Sequence, residues 1–210
     1  MTLASFHTEV SLALRRGNSV DALIPGWAED AALWLEQNYS FSYMERTQEA
    51  EVVAGDVDSN RIPLTQRFKA LDFVRLVSRQ DSDVFGYLKK IDAREISSID
   101  AGDPTYYWLS EDDIWMDARP RSNIYVQVRG VFYTDWPEDD DETPTLLRYY
   151  KNLLKAQTLI EASIDLKDDR MLQAYNMKFE RALQAVLVAE EERKRRGGTS
   201  KAMQYSPLGR

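Results

Sequence analysis

The 210-residue chain contains no cysteine, so disulfides, thiolate metal sites and cysteine nucleophiles are all excluded. It contains one histidine, His7, so any catalytic site built on imidazole would have to use it. No nucleophile motif lies near it, and His7 reads as a surface or interface residue. Glycine is scarce, and no glycine-rich loop follows a strand in the way that phosphate binding needs. No apolar run approaches the length of a membrane span. The amino terminus lacks the basic segment and apolar run of a signal peptide, so a soluble protein is expected.

Positive charge is also in deficit. The net charge of −8 argues against a protein that grips nucleic acid across a broad face, because phosphate binding needs clustered Lys and Arg. An acidic surface would instead let DNA slide past without sticking. With 43% hydrophobic and 30% charged residues, the chain can build a real core under a solvated surface.

Helical periodicity marks both ends of the chain. Leu3, Phe6, Val10 and Leu14 recur at three- and four-residue spacing, which predicts a helix over residues 2–16. Thr2 is its expected N-cap and Gly17-Asn18 its stop. A second helix is expected from Ser19 or Asp21 to about Asn38, with Pro25 tolerated in its first turns. After Pro144 a third helix, capped by Thr143 or Thr145, runs to about Leu166. It turns Leu146, Leu147, Tyr150, Leu153, Leu154, Gln157 and Ile160 inward. A fourth runs from Asp168-Asp169 to about Arg196 on the face Leu172, Tyr175, Phe179, Leu183, Val186 and Leu187, with Gly197-Gly198 as its stop.

The middle reads differently. Extended segments are expected at residues 45–53, 61–64, 72–77 and 86–91, with a helical turn over 92–99. Aromatic runs follow: Tyr106-Tyr107-Trp108-Leu109, then Ile114-Trp115-Met116 across the loop Ser110-Glu111-Asp112-Asp113, then residues 124–133, with Trp136 just beyond. The expected fold class is therefore α+β: about four helices, two N-terminal and two C-terminal, with a small antiparallel β-rich insertion. The domain reading places the helical core at 1–39 and 144–196 and the insertion at 40–137. An acidic connector spans 138–143, and a flexible basic tail spans 197–210.

Three groups of residues could carry chemistry. Glu111, Asp112, Asp113 and Asp117, or the five acids at 138–142, could attract a hard cation, but neither group has the spacing or glycine turn of a calcium loop. A metal-dependent hydrolase on Asp112, Asp113 and Asp117 is the enzyme reading, and a solvated loop is the plainer one. Trp108, Trp115 and Trp136 could stack on sugars, giving a carbohydrate-binding or adhesin module as the alternative function. Otherwise Tyr106, Trp108, Trp115, Tyr133 and Trp136 pack the β layer, or meet a neighbouring subunit or tail protein. The short basic run Arg193-Lys194-Arg195-Arg196, continued by Lys201, Tyr205 and Arg210, suits docking on an acidic protein surface. No catalytic residue, metal site or cofactor is expected.

The order of these segments resembles the adaptor, or head–tail connector, proteins of tailed phages, from about Val20 to about Glu190. Asp21-Ala22-Leu23-Ile24-Pro25-Gly26-Trp27-Ala28-Glu29 is similar to that family's second helix, with its proline and Ala-Glu pair, and Met44-Glu45 to the pair that often follows it. Arg61-Ile62-Pro63-Leu64 resembles its strand entrance, although Leu64-Thr65 departs from the pattern. Gly102-Asp103-Pro104-Thr105-Tyr106-Tyr107 is similar to its G-x-P-x-x-Y strand, Tyr133 with Trp136-Pro137 to its closing strand, and the helical pair after Pro144 to its final hairpin. The resemblance implies a ring, commonly of twelve subunits, in the virion neck. That ring would dock on the portal protein, bind a tail or next neck protein, and let DNA pass through an acidic lumen without specific binding. It implies no enzyme activity and no membrane association, and it makes the basic tail the candidate segment for the portal.

Overall fold

The computed structural model describes residues 1–16, 19–56, 58–77, 84–96 and 98–196, with the side chain of Arg196 outside the description. The chain divides into two compact units. One comprises Met1–Tyr43 with the chain from Thr134 onward, and the other is Met44–Tyr133.

The first unit is helical. Helix α1 (Leu3–Leu14) buries Leu3, Phe6, Val10 and Leu14, the stripe that periodicity picked out. Thr2 caps it, its hydroxyl oxygen accepting the Ser5 amide at 3.4 Å. The helix closes on Arg15, a non-glycine residue in the left-handed region (φ 54°). The expected stop at Gly17-Asn18 lies outside the described residues. A 3-10 turn at Asp21–Leu23 leads into α2 (Ile24–Asn38), with Pro25 in its first turn, where amides lack intrahelical partners anyway. Helix α3 (Thr145–Asp165) has Pro144 at its cap position, and neither threonine caps it. Helix α4 (Asp169–Arg196) buries Phe179 and Val186 and half-buries the rest of its expected face. Its Gly197-Gly198 stop is outside the described residues.

The acidic connector has an unexpected attachment. The carbonyls of Asp140 and Glu142 accept the amides of Ala4 and Leu3, both at 3.0 Å, so the connector supplies partners to the free N-terminal amides of α1.

The second unit overturns the expectation of a small antiparallel insertion. Among the described residues its nine strands are β1 (Glu45–Val52), β2 (Arg61–Ile62), β3 (Phe68–Val77), β4 (Val84–Lys90), β5 (Asp100–Ala101), β6 (Tyr106–Ser110), β7 (Asp113–Met116), β8 (Ala118–Arg119) and β9 (Ile124–Phe132). Seven form one sheet in the order β1-β9-β3-β4-β6-β7-β2, while β5 and β8 pair separately and in parallel. The β4–β6 pair is parallel too. The large sheet curls until its edges β1 and β2 come close, a near-barrel. The Gln48 side-chain oxygen on β1 accepts from the amide and hydroxyl of Thr65, just past β2, each at 3.2 Å. Closing a sheet in this way covers its edges and gives it an interior to fill. That interior is Ala50, Val52, Ile62, Val74, Leu88, Tyr107, Ile114, Met116, Val126, Val128 and Phe132.

Two local expectations change as well. Ser110 and Asp113 pair with each other, so the β6–β7 turn is only Glu111-Asp112, with Glu111 at φ 54°. The helical turn expected over 92–99 shrinks to a 3-10 turn at Ala93–Glu95, capped by Asp92.

Candidate interaction surfaces

The basic end of α4 is anchored by a buried acid. Glu190 is 0% exposed, and its carboxylate accepts from the Ser42 amide at 2.8 Å, the Ser42 hydroxyl at 3.1 Å and the Tyr150 hydroxyl. Arg193 donates to the same carboxylate at 3.2 Å and to the Tyr150 oxygen at 3.0 Å. Four donors around one carboxylate make its burial affordable. Burial, and then the neighbouring Glu190, push the Tyr150 phenol well above its ordinary range, so it remains a donor. Helix α3 kinks at Tyr150 (φ −134°, ψ 40°), where the residue leaves helical geometry.

The Arg193 guanidinium also lies 5.3 Å from the ring centre of Tyr149, which is exposed. Arg148, one residue earlier, is exposed and in no ion pair among the described residues. Arg195 sits 3.7 Å from Glu191, an exposed pair that contributes little. Of the residues expected here, Arg193, Lys194 and Arg195 fall on α4, while the Arg196 side chain, Lys201, Tyr205 and Arg210 lie outside the described residues.

A second buried acid, Glu36, plays a parallel part. It accepts from the Tyr43 hydroxyl at 2.8 Å, the Thr134 amide at 2.9 Å and the Thr134 hydroxyl. Ser42 and Tyr43 precede the β unit in sequence and Thr134 follows it, so the two carboxylates fix the bordering segments within the helical unit. Phe41 stacks on Tyr43 at 5.6 Å, and Tyr43 stacks on Tyr149 at 6.4 Å. Sequence reasoning missed Glu36 and Glu190. The first looks like one polar residue near a helix end, and the second opens a run of charges.

The aromatic residues expected in the β layer divide. Trp108 and Trp115 face each other across β6 and β7 and stack at 6.4 Å. They alternate with Tyr107, Ile114 and Met116, which point into the core. Trp108 is only 9% exposed, so the alternative reading of it as part of a sugar platform finds no open face there. Tyr106 is exposed, and Tyr133 is half-buried with Arg67 6.0 Å from its ring centre. Trp136 is half-buried but follows the last strand, in the helical unit. The more exposed aromatics among the described residues of the sheet are on β4, where Phe85 is 74% and Tyr87 59% exposed. They line a groove of about 650 Å³ with Leu76, Pro104 and Tyr125.

Three of the acids around the β6–β7 turn have other partners. Asp112 pairs with Arg67 at 3.0 Å and Asp113 with Arg61 at 2.6 Å. Asp117 accepts the amides of Thr105 and Tyr106, both at 2.9 Å, holding the Asp103-Pro104 approach to β6. Among the described residues no three His, Cys, Asp or Glu side chains are grouped to hold a metal ion. No described helix is long and apolar enough to cross a membrane. His7 is half-buried, with Nδ1 3.5 Å from Asp140 and Nε2 buried without a hydrogen-bond partner.

What these surfaces offer is contact chemistry: exposed tyrosine and arginine beside the buried Glu190 in the helical unit, and exposed phenylalanine and tyrosine on β4 of the sheet. No curated protein matches the chain. A family model does: that of the SU10 adaptor protein aligns with residues 1–204, nearly the full length. The chain belongs to the SU10 adaptor protein family, a family of phage neck adaptors.

Proposed function

We propose that this chain is the structural adaptor of a phage neck, forming a ring, commonly of twelve subunits, that joins the portal protein to a tail or next neck protein. The observation that carries the reading is the family match over residues 1–204. DNA passes through the ring, and the net charge of −8 per copy disfavours its sticking to the wall. The chain resides in the virion neck and performs no catalysis.

The portal-facing segment in this reading is the end of α4 with its continuation: Arg193, Lys194, Arg195, Arg196, Lys201, Tyr205 and Arg210. The β layer, with Tyr106 exposed and Trp108, Trp115 and Tyr133 more covered, together with Trp136 beyond its last strand, serves packing and a tail or subunit interface. Functionally the chain is organised as helical core 1–39 with 144–196, insertion 40–137, connector 138–143 and tail 197–210. Mixing the purified chain with portal particles and imaging them tests the reading. Rings on the portal are expected, and a chain that never joins a portal particle counts against it. Removing residues 199–210 should weaken attachment while leaving the fold intact.

A further inference from the structure

The helical unit carries two surfaces of opposite sign. The acidic one is the connector, where Glu138, Asp141 and Glu142 are exposed and make no ion pair among the described residues. It is a held loop. Besides the two carbonyl bonds to α1, the Glu142 amide donates to the Asp139 carbonyl at 3.1 Å, the Asp141 amide to the Asp139 carboxylate at 3.1 Å, and the Thr143 hydroxyl to the Met1 carbonyl at 2.8 Å. Its charges are therefore presented outward from a fixed backbone.

The basic surface is Arg148, Tyr149 and Arg193, with Arg195 at its margin. Arg193 is held by Glu190 and the Tyr150 oxygen and rests over Tyr149, so little of its freedom remains to be lost on binding. Tyr149 is an exposed, rigid amphipathic side chain, the kind that anchors interfaces. Arg193 and Arg195 are paired with Glu190 and Glu191, so Arg148, in no ion pair among the described residues, carries the surface's uncompensated charge, a directional feature on a chain of net charge −8.

We propose that the acidic loop at 138–142 of one copy docks on the Arg148–Tyr149–Arg193 surface of the next copy. The inference rests on the ring reading above and names the contact that would order it. Repeated head to tail, with the loop of each copy on the surface of the next, the contact is heterologous, and it generates a ring where its rotation closes. A second copy is favoured as occupant because it brings five consecutive acids on a backbone already fixed, which complements the arginines in charge and costs little ordering.

Charge reversal tests this without needing either variant to bind anything unidentified. One variant, R148E with R195E, makes both surfaces negative. The other, E138K with D141K and E142K, takes the loop from five negative charges to a net of +1 and so makes both positive, and its three sites have exposed side chains outside the bonds that hold the loop. Self-association is followed by sedimentation at low and high salt. Wild type should associate at low salt and weaken as salt rises. Each variant alone should need roughly tenfold or more protein to reach half-assembly, and an equimolar mixture should return toward wild type. Variants that associate alone as well as wild type overturn the proposal. So does a wild type that stays monomeric at low salt, or a mixture that does not recover. If the first variant associates normally but loses portal particles or DNA, the basic surface belongs to that partner instead. Failure of the adaptor reading is separate: it shows as absence from portal particles whatever the self-association result.

Discussion

The hydroxyl of Tyr150 donates to the carboxylate of Glu190, 40 residues further along the chain, at the point where α3 kinks and α4 nears its end. The pair is buried, and it shares the carboxylate with Ser42 and Arg193. Removing either partner therefore strands polar groups where water cannot replace it.

Replacing Glu190 with Ala should cost about 3–5 kcal/mol of stability, since it leaves an arginine, a phenol and an amide without their acceptor. Tyr150→Phe should cost less, about 1–3 kcal/mol, because three donors still reach the carboxylate. The double variant should lose less than the sum of the two, the mark of a shared network. Urea denaturation measures all three. An alanine variant as stable as wild type would show that Glu190 is not the centre of that network.

Gly130 on β9 offers a sharper steric test. It pairs with Leu71 on β3 and Arg46 on β1, next to the register shifts of β3. A Cβ there would meet the Ala70 carbonyl oxygen at 2.2 Å and the Leu71 Cα at 3.0 Å. These are backbone atoms, which cannot swing aside as a side-chain end can. Gly130→Ala should cost about 1–3 kcal/mol or more and displace β3 from β9. Amide exchange along β3 should quicken. A melting curve and exchange pattern matching wild type would refute the close approach.

How much of this was legible beforehand depends on how each element advertises itself. The face of α4, from Leu172 to Leu187, repeats over many turns, so it could be read directly. Tyr107, Ile114 and Met116 alternate with Trp108 and Trp115, so β6 and β7 could be placed as well. The closed sheet was hidden for a physical reason. β1 runs Glu45-Arg46-Thr47-Gln48-Glu49-Ala50-Glu51-Val52 and buries only Ala50 and Val52, so it looks like a weak edge rather than one side of a barrel. β5 and β8 are two residues each, too short for any periodicity. The β4–β6 pair is parallel, and local pattern carries no information about which distant strand lies alongside. The basic end of α4 was visible as charge, but Glu190 beneath it was not, because burial of an acid depends on donors supplied from elsewhere in the chain.

His7 makes stability depend on pH in a defined direction. Burial lowers its pKa from the ordinary 6.5, and the nearby Asp140 only partly offsets that. Above 6.5 the imidazole is neutral in both folded and unfolded chains and adds no pH dependence. As pH falls below 6.5 the unfolded chain takes up the proton first, so stability is lost until the folded imidazole protonates too. His7 is the chain's one histidine, so His7→Gln should flatten the stability profile just below pH 6.5. Denaturation midpoints for both proteins across that window decide it, and parallel profiles would count against a buried, neutral His7.

Phe179 tests the helix packing itself. It is buried on α4 and meets Trp34 of α2 edge to face, with ring centres 5.8 Å apart. Trp34 also touches Tyr39 at 6.1 Å, so the phenyl ring is one member of a small aromatic group within the helical unit. Phe179→Ala removes both its buried area and that ring contact, and should cost about 3–5 kcal/mol. Phe179→Leu should recover part of the loss, because it restores volume without the aromatic geometry. Met177, two residues earlier and exposed, is the control: Met177→Ala should lie within about 0.5 kcal/mol of wild type. Equal effects at 177 and 179 would mean that the two faces of α4 are assigned the wrong way round.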